Sequence, residues 1–573
     1  MAATDLTAWR ALVDKELAGA PFDKLVQRTA EGVAIEPLYI ERPGDPPPPG
    51  AAPFVRGATA APFKICMQVA PGGDAAAEIA GGAEALWCRA DDRKAIELAL
   101  AHELTAVVDL PPTGDWDLGE TTEADDDWAG GDGDGAAMAS RSQLWSAFDW
   151  IADVFAGHLP PQALDAGWPI VPVARDAIAQ DPTWRCLRIA TLPFHHAGAD
   201  AADELALGLS SLVATLRRLD DAGIELGRAA RLAWAQVAIG RDTFGELCKL
   251  RALRVLWHKV FAAAGAPDAR LDAIHAVCSA RTLSQRDPWV NMLRVTTQVF
   301  AAALGGAQLI TPLPFDAALA TRSPLGQRVA RNTALVLREE SQLGRVLDAG
   351  GGSYYLETRT DELAREAWSR FTAIERDGGI VQLLRSDALR ARLDAAWARR
   401  VAALARRKEP VLGVSEFANL GERLPGAPAA LPGVHRDAEA FEALRARVEA
   451  APPGVALVQL GPPAEHRART GFAEALFAVA GLRALPREID LGLGSGLGSG
   501  PGSGIDIACL CGSDERYAAE AASAARALRA AGARRVVLAG RPGAIEAELR
   551  AAGVDAFVFV GCDVLSVLEE ILS

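Results

Sequence analysis

The chain is short of positive charge, histidine and tyrosine, and each shortage narrows what it can do. Its 59 Lys and Arg are outnumbered by 74 Asp and Glu, for a formal net charge of −15. Nucleic-acid binding needs clustered cations against phosphates, so that class is set aside. With 8 histidines and 4 tyrosines in 573 residues, each one can be weighed individually. The start, MAATDLTAWRALVDKEL, has no basic stretch ahead of an apolar core, as a secretory signal would. No window supplies the roughly 18 uninterrupted apolar residues of a membrane span, so the expected compartment is the cytoplasm. The 8 cysteines are scattered, and a reducing compartment keeps them as thiols. The closest pair, Cys509-Leu510-Cys511, lies on an expected strand. Its two side chains are expected to face opposite sides and to pack rather than bind metal.

What is present is a long apolar chain. Half of its residues are hydrophobic, and the length exceeds what one core can organise, so two or more domains are expected. Residues 1–53 read as an N-terminal arm: an amphipathic helix, a short apolar segment, then the proline-rich ERPGDPPPPGAAP (41–53). From 54 to 408 short β-like runs alternate with helical patterns. FKICMQVA, EALWCRA, AVVDL, LRIATL, LAWAQVAI, IHAVCSA and AQLITPL are the expected strands, with helices at 203–219, 244–263, 289–304 and 361–375. Sustained alternation of this kind calls for parallel strands, and a (β/α)8 barrel of the TIM type is the simplest closed solution. Residues 115–140 break the rhythm with an acidic, Gly-rich stretch. It reads as a solvated loop, because the spacing and distal Glu of a calcium-binding loop are missing.

A Pro- and Gly-punctuated linker (409–450) precedes a second βα series at 451–573. VALVQL, IDIACLC, RRVVLAG and AFVFVG are its expected strands, giving a small Rossmann-like sheet of the flavodoxin type. The run GLGSGLGSGPGSG (492–504) leads into a strand rather than a helix, so it is a loop and not a phosphate cradle. The stretch QLGPPAEHR (459–467) matters more. A buried strand runs into it, strand ends of α/β sheets are where ligands bind, and His466 stands there as a candidate metal or cofactor ligand.

RDPWVNMLRVTTQVFAAALGGAQLITPLPFD (286–316), RVARNTALVLREESQLGRVLDAGGGSYYLETRTDELAREAW (328–368) and IERDGGI (374–380) together resemble the cobalamin-dependent methylmalonyl-CoA mutase family. KLRALRVLWHKV (249–260) and the N-terminal WRALVDKEL, PFDKL and EGVAIEPLYI extend the likeness. The resemblance implies a catalytic barrel followed by a cobalamin-binding domain. Adenosylcobalamin would supply a radical that interconverts methylmalonyl-CoA and succinyl-CoA, positioned and shielded by protein.

Residue by residue, the family's functional positions are altered. The cobalamin loop of the family reads D-x-H-x-x-G, with the Asp orienting the His that ligates cobalt. The matching positions here hold Pro463 and Glu465, and His466 lies one place on, so it reads as a solvated loop residue. The family's Ser-x-Leu is replaced by CLCGSDE, and its Gly-Gly by Ala539-Gly540. In IATLPFHHAGAD the catalytic His of the family falls on Pro193. His195 and His196 remain as weak candidates for acid or base work, read chiefly as loop or interface residues. Arg231 stands for the family's thioester Arg, while Arg286 and Glu340 stand for the Gln and Glu facing the adenosyl group. An Arg replaces a neutral amide poorly. The Tyr- and Arg-bearing segment that clamps CoA is replaced by MQVAPGGDAAAEIAGG.

The likeness therefore points to the small, β-type subunit of the heterodimeric bacterial enzyme, with a degenerate cobalamin-type domain. No catalytic, substrate, cofactor or metal residue is expected to act in this chain, and adenosylcobalamin is expected in the large catalytic partner subunit. The arm would wrap that partner, and a G-protein metallochaperone would be a further partner of the complex. Two alternatives stand beside this reading: a divergent acyl-CoA mutase active alone, and a repurposed scaffold or regulatory protein.

Overall fold

The computed structural model describes residues 6–57, 62–70, 72–109, 144–146, 148–166, 170–180, 184–487 and 505–573. The acidic segment 115–140 and the Gly-rich run 492–504 lie outside the described residues. The chain divides into two compact units. One runs to Ser279 and adds Val295–Leu313 and Ala330–Asp394; the other takes Ala280–Arg294, Pro314–Val329 and Ala395–Ser573. Among the described residues no helix is long and apolar enough to cross a membrane.

The first unit is built on strands β1 (Lys64–Gln68), β2 (Ala85–Arg89), β3 (Thr105–Asp109), β4 (Leu144–Ser146), β5 (Leu187–Ala190), β6 (Ala233–Ile239), β7 (Ile274–Cys278) and β8 (Leu309–Thr311). They form one 8-stranded sheet in the order β4-β3-β2-β1-β8-β7-β6-β5, parallel throughout. A parallel bridge between Trp145 and Arg185 joins the two edges and closes the barrel. β6, buried at every position, shows why the strands read as continuous apolar runs: helices cover one face and the barrel interior the other. β4 was not anticipated, since three residues carry too little pattern to register. The helices Ala201–Asp221, Thr243–Ala263 and Val290–Leu304 start close to the expected 203, 244 and 289, whereas the helix expected at 361 begins at Tyr354. Asp200 caps Ala201–Asp221 by accepting from the Asp203 N–H at 2.8 Å. Asp242 caps Thr243–Ala263 through the Gly245 N–H at 3.0 Å.

The barrel interior is filled by large side chains. Trp87, Trp145 and Trp234 converge on Cys66, Val107, Val277 and Leu309 in one apolar cluster. The rings of Trp145 and Trp234 lie 5.3 Å apart, and Trp87 meets His275 edge-on at 5.4 Å. Two of the indole N–H groups have clear acceptors: Trp234 donates to the Ser146 carbonyl at 3.2 Å and Trp87 to Asp109 Oδ2 at 2.6 Å. His275 is fully buried between Gln236 (3.2 Å) and Thr311 Oγ1 (2.7 Å). The amide leaves Nδ1 as acceptor and Nε2–H as donor to Thr311.

In the N-terminal segment, the helix Leu6–Leu17 has no buried residue. From Glu31 onward the chain is tied to the barrel's own helices. The Glu31 carboxylate accepts from the Ala201 N–H at 3.2 Å, Arg370 donates to the Glu31 carbonyl at 3.2 Å, and Tyr39 packs on Tyr355 at 5.2 Å.

The second unit holds a 5-stranded parallel sheet: β9 (Val455–Gln459), β10 (Ala484–Arg487), β11 (Ile507–Cys511), β12 (Arg535–Ala539) and β13 (Ala556–Val558), in the order β10-β9-β11-β12-β13. This is the flavodoxin order, with its switch point between β9 and β11. β10 escaped the sequence reading because it contains Pro486, which a sheet tolerates only at an edge, where β10 lies. Cys509 and Cys511 pack into the same apolar cluster as Leu457 and Val537. The expectation of opposite faces is thus overturned: with a period of two, residues i and i+2 share a face. The cysteines, Cys66 through Cys562, are free and buried.

The buried imidazole makes stability pH-dependent. Burial, followed by the nearby Arg188 charge, pushes the His275 pKa from 6.5 down to about 3. The unfolded chain therefore takes up a proton below pH 6.5 that the folded barrel refuses. Stability present above that pH is lost as pH falls toward 3, by up to about 5 kcal/mol. Denaturation midpoints measured from pH 7 to 4 are expected to fall more steeply for the native chain than for a His275→Gln variant. Equal slopes would contradict this account of the core.

Candidate functional site

A cavity of about 380 Å³ opens at the carboxyl ends of β2, β3, β5 and β6, lined among others by Trp87, Asp109, Asp153, His158, Arg188 and Gln236. This is the end at which barrels of this type hold their ligands. Arg188 projects from β5 and is nearly buried; its Nη1 donates to Asp109 Oδ1 at 3.0 Å, and Nη2 lies 3.5 Å from Asp153 Oδ1. Burial raises the Asp109 pKa, with Arg188 and the Trp87 indole opposing it. Asp149 fixes the floor beside them. It caps the helix Trp150–Phe155 through the Ile151 and Ala152 N–H groups and also accepts from the Ala190 N–H at 2.6 Å. His158 is a titratable group of the cavity that no motif signalled: Nδ1 sits 3.4 Å from Asp153, and that hydrogen bond raises its pKa. Pro193 lines the cavity where the family resemblance places a catalytic His, and a pyrrolidine ring offers no proton. Arg188 is already held by carboxylates, so an incoming ligand carboxylate would have to displace them. Below it, the indoles take the space along the barrel axis.

His195 is not a loop or interface residue. It sits in the short helix Leu192–His196, buried, with Nδ1 2.7 Å from Glu204 Oε1 and Nε2 2.6 Å from Ser279 Oγ. Lys249 lies 3.3 Å from Glu204 and 2.6 Å from Glu246, and donates to the Ala238 carbonyl at 2.8 Å. Burial works against the Lys249 ammonium, yet Glu204 and Glu246 together hold its pKa above the usual lysine value. Ser279, His195 and Glu204 have the spacing of a nucleophile, its base and an orienting acid. But Ser279 is fully buried, and none of the three is among the residues lining the mouth cavity. The cluster ties the end of β7, the short helix after β5 and two long helices together. His196 lies beside it, its ring 5.9 Å from that of His195.

The remaining sequence candidates are dispersed. Arg231 is exposed at the end of the helix Leu226–Leu232, directly before β6, so it stands at the end of the barrel opposite the cavity. Glu340 is exposed in the turn Val336–Glu340 of the first unit. Arg286 belongs to the second unit and is engaged there, with Nη2 2.6 Å from Glu449 and Nη1 3.7 Å from Glu422. Among the described residues no group of three or more His, Cys, Asp or Glu is placed to hold a metal ion.

The second sheet answers the question posed by His466, and corrects its reading as a solvated loop residue. Few residues separate β9 from the helix Pro463–Val479. Pro462 and Pro463 cut the loop short because proline suits the first turn of a helix, where its missing N–H costs nothing. His466 therefore lies inside the helix, buried, with Nδ1 3.3 Å from Thr470 Oγ1 one turn on. Glu465, in the ligand's place, pairs with Arg516 at 2.6 Å.

The neighbouring space at the carboxyl ends of β11 and β12 is occupied by Tyr517. Its hydroxyl accepts from the Gly512 N–H at 3.0 Å and donates to the Ala539 carbonyl at 2.7 Å, with the Leu510 carbonyl at 3.2 Å. The Arg469 guanidinium covers the ring at 4.8 Å and donates to the Gly512 carbonyl at 2.6 Å. Gly512 and Gly540 make way for this ring: a Cβ on either would come within 3.3 or 3.0 Å of it. The glycine retained from the family's Gly-Gly thus admits a tyrosine. With the ring seated there and no loop to present an imidazole, these residues do not fit a corrin and its nucleotide tail.

Tyr517 is accordingly expected to be structural. Tyr517→Phe strands the backbone groups its hydroxyl satisfies and should cost about 1–3 kcal/mol; Tyr517→Ala adds a cavity and should cost about 3–5 kcal/mol. Urea unfolding followed by far-UV dichroism measures both, and unchanged stability for the Ala variant would contradict the packing described.

The sequence profile of the methylmalonyl-CoA mutase family matches residues 170–478. The chain is 36% identical to the methylmalonyl-CoA mutase small subunit of Streptomyces virginiae, over 98% of this chain and 96% of that one. It is 32% identical to the small subunit from Propionibacterium freudenreichii subsp. shermanii, over 96% and 90%. A protein named methylmalonyl-CoA mutase from Cereibacter sphaeroides is 29% identical over 72% of this chain and 64% of its own length. A family profile spanning more than half the chain, and relatives aligned nearly end to end, lead to one conclusion: the chain belongs to the methylmalonyl-CoA mutase family.

Proposed function

We propose that the chain is a non-catalytic subunit of an adenosylcobalamin-dependent methylmalonyl-CoA mutase and stabilises a large, catalytic partner subunit. The observation that carries this reading is that the chain fills its own ligand spaces. Tyr517 closes the carboxyl ends of β11 and β12 beside the crevice of the second sheet, and Trp87, Trp145 and Trp234 fill the barrel axis. Pro193 at the mouth cavity, and Arg188 neutralised by Asp109 and Asp153, support it further. The relatives named small subunits support a partner. Adenosylcobalamin and the acyl-CoA would then belong to that partner, and a G-protein metallochaperone would act on the partner's cofactor site. What this chain contributes is a folded surface, held rigid by buried ion pairs and indoles rather than by ligand.

The test is to purify the chain alone and together with a mutase large subunit, supplying adenosylcobalamin to both. The lone chain is expected to elute from gel filtration without corrin absorbance and to show no turnover of methylmalonyl-CoA. The pair should co-elute, carry corrin and turn over. Stoichiometric corrin on the lone chain, or turnover without a partner, would overturn the proposal and favour a divergent mutase active by itself.

A further inference from the structure

Four large apolar side chains stand exposed in the second unit: Phe417 at 81%, Leu293 at 64%, Trp289 at 48% and Leu412 at 46%, with the Gly413 N–H donating to the Glu416 carbonyl at 2.8 Å to hold the segment between Leu412 and Phe417 as a tight turn. Their neighbourhood is fixed by short contacts. Arg294 donates to the Leu412 carbonyl at 2.6 Å, and Asp287 N–H donates to Glu422 at 2.6 Å. Gly413 lies so close to Asp287 that a Cβ would come within 3.0 Å of the Asp Cβ. Trp289 is backed by Phe315, with ring centroids 4.7 Å apart, and Leu293 follows it one helical turn on.

Phe417 and the neighbouring Asp287 are also strained. Phe417 has φ +54° and Asp287 has φ +44°, a left-handed conformation that a bulky side chain adopts only when its surroundings require it. An exposed phenyl ring held in a strained backbone is unfavourable twice over in an isolated chain. Burial against another surface would offset both.

The area narrows what that surface is. Aromatic rings offer about 150–250 Å² each, so the four exposures amount to roughly 400–500 Å², as large as the biggest patch on most monomers. A stable heteromeric interface takes about 800 Å² per partner, so the patch is sized to be an apolar centre rather than a whole interface. Charged pairs flank it as a rim would: Arg407–Glu416 at 3.0 Å and Arg286–Glu449 at 2.6 Å. A second copy is disfavoured as occupant, because each copy carries a net charge of −15 and like-charged chains repel.

We propose that Trp289, Leu293, Leu412 and Phe417 form the centre of the surface on which the large mutase subunit docks, a proposal that rests on the function inferred above. The binding of full-length variants to a large subunit tests it by surface-immobilised titration, with dichroism and thermal melting alongside. Phe417→Glu combined with Leu293→Glu should weaken association by about thirtyfold or more. Val560→Glu, at a residue 79% exposed elsewhere on the unit, should leave it unchanged. Phe417→Gly separates docking from folding, since glycine relieves the left-handed strain: its melting temperature should hold or rise while binding weakens. Variants that bind as tightly as the native chain would overturn the proposal. So would a homodimer of the native chain that Phe417→Glu dissolves without affecting the large subunit. If the native chain itself fails to bind any large subunit, the proposed function falls, which is a different result from equal binding by all variants.

Discussion

A closed barrel of 8 parallel strands must fill its own axis or keep it open for something else, and here it is filled from within. Trp145 and Trp234 lie in van der Waals range, Trp87 meets His275, and Arg188 spans to Asp109 above them. Small inward residues such as Ala85, Ala238 and Ala273 make room for the indoles, the alternation of large and small that layered barrel interiors require. With that space taken, the cavity at the mouth is bounded by Trp87, which belongs to the same apolar cluster. The buried His275 and the paired Arg188 follow from the same choice. Polar atoms drawn into a filled barrel must find partners there, since water has been excluded.

The same solution recurs in the second unit by different chemistry. A flavodoxin-type sheet leaves a crevice where its strand order reverses. Tyr517 closes the neighbouring strand ends with a ring between two glycines and a hydroxyl bonded to three backbone groups. Around the barrel mouth, the His195–Glu204–Lys249–Glu246 cluster performs a comparable structural task. It has the residue types of an active site, but its Ser279 is sealed from solvent. Residue types and spacing alone do not make a catalytic group; access for a reacting atom does.

Much of this architecture was legible in the sequence. The alternation of apolar runs and helical patterns pointed to a barrel and a doubly wound sheet. What was not legible has physical causes. β4 and β10 are too short, or carry a proline at an edge, to rise above background. His466 was misread because Pro462-Pro463 looks like a rigid loop, whereas proline at the start of a helix shortens the loop instead. His195 was set down as a loop or interface residue because its partners Glu204, Lys249 and Ser279 lie far along the chain. The tryptophans passed unnoticed because a strand buried on both faces has no polar alternation to tell inward from outward. Tyr517 was invisible for a similar reason: its role depends on Gly512 and Gly540, brought together only by the fold.

The most direct test of a chain that fills its own ligand spaces is calorimetric titration of the isolated protein with methylmalonyl-CoA. The filled axis and the neutralised Arg188 predict no saturable heat at ligand concentrations into the millimolar range. A one-to-one isotherm, with the thioester competing against free CoA for the same site, would mean that the barrel opens a passage these side chains do not leave, and would contradict the account.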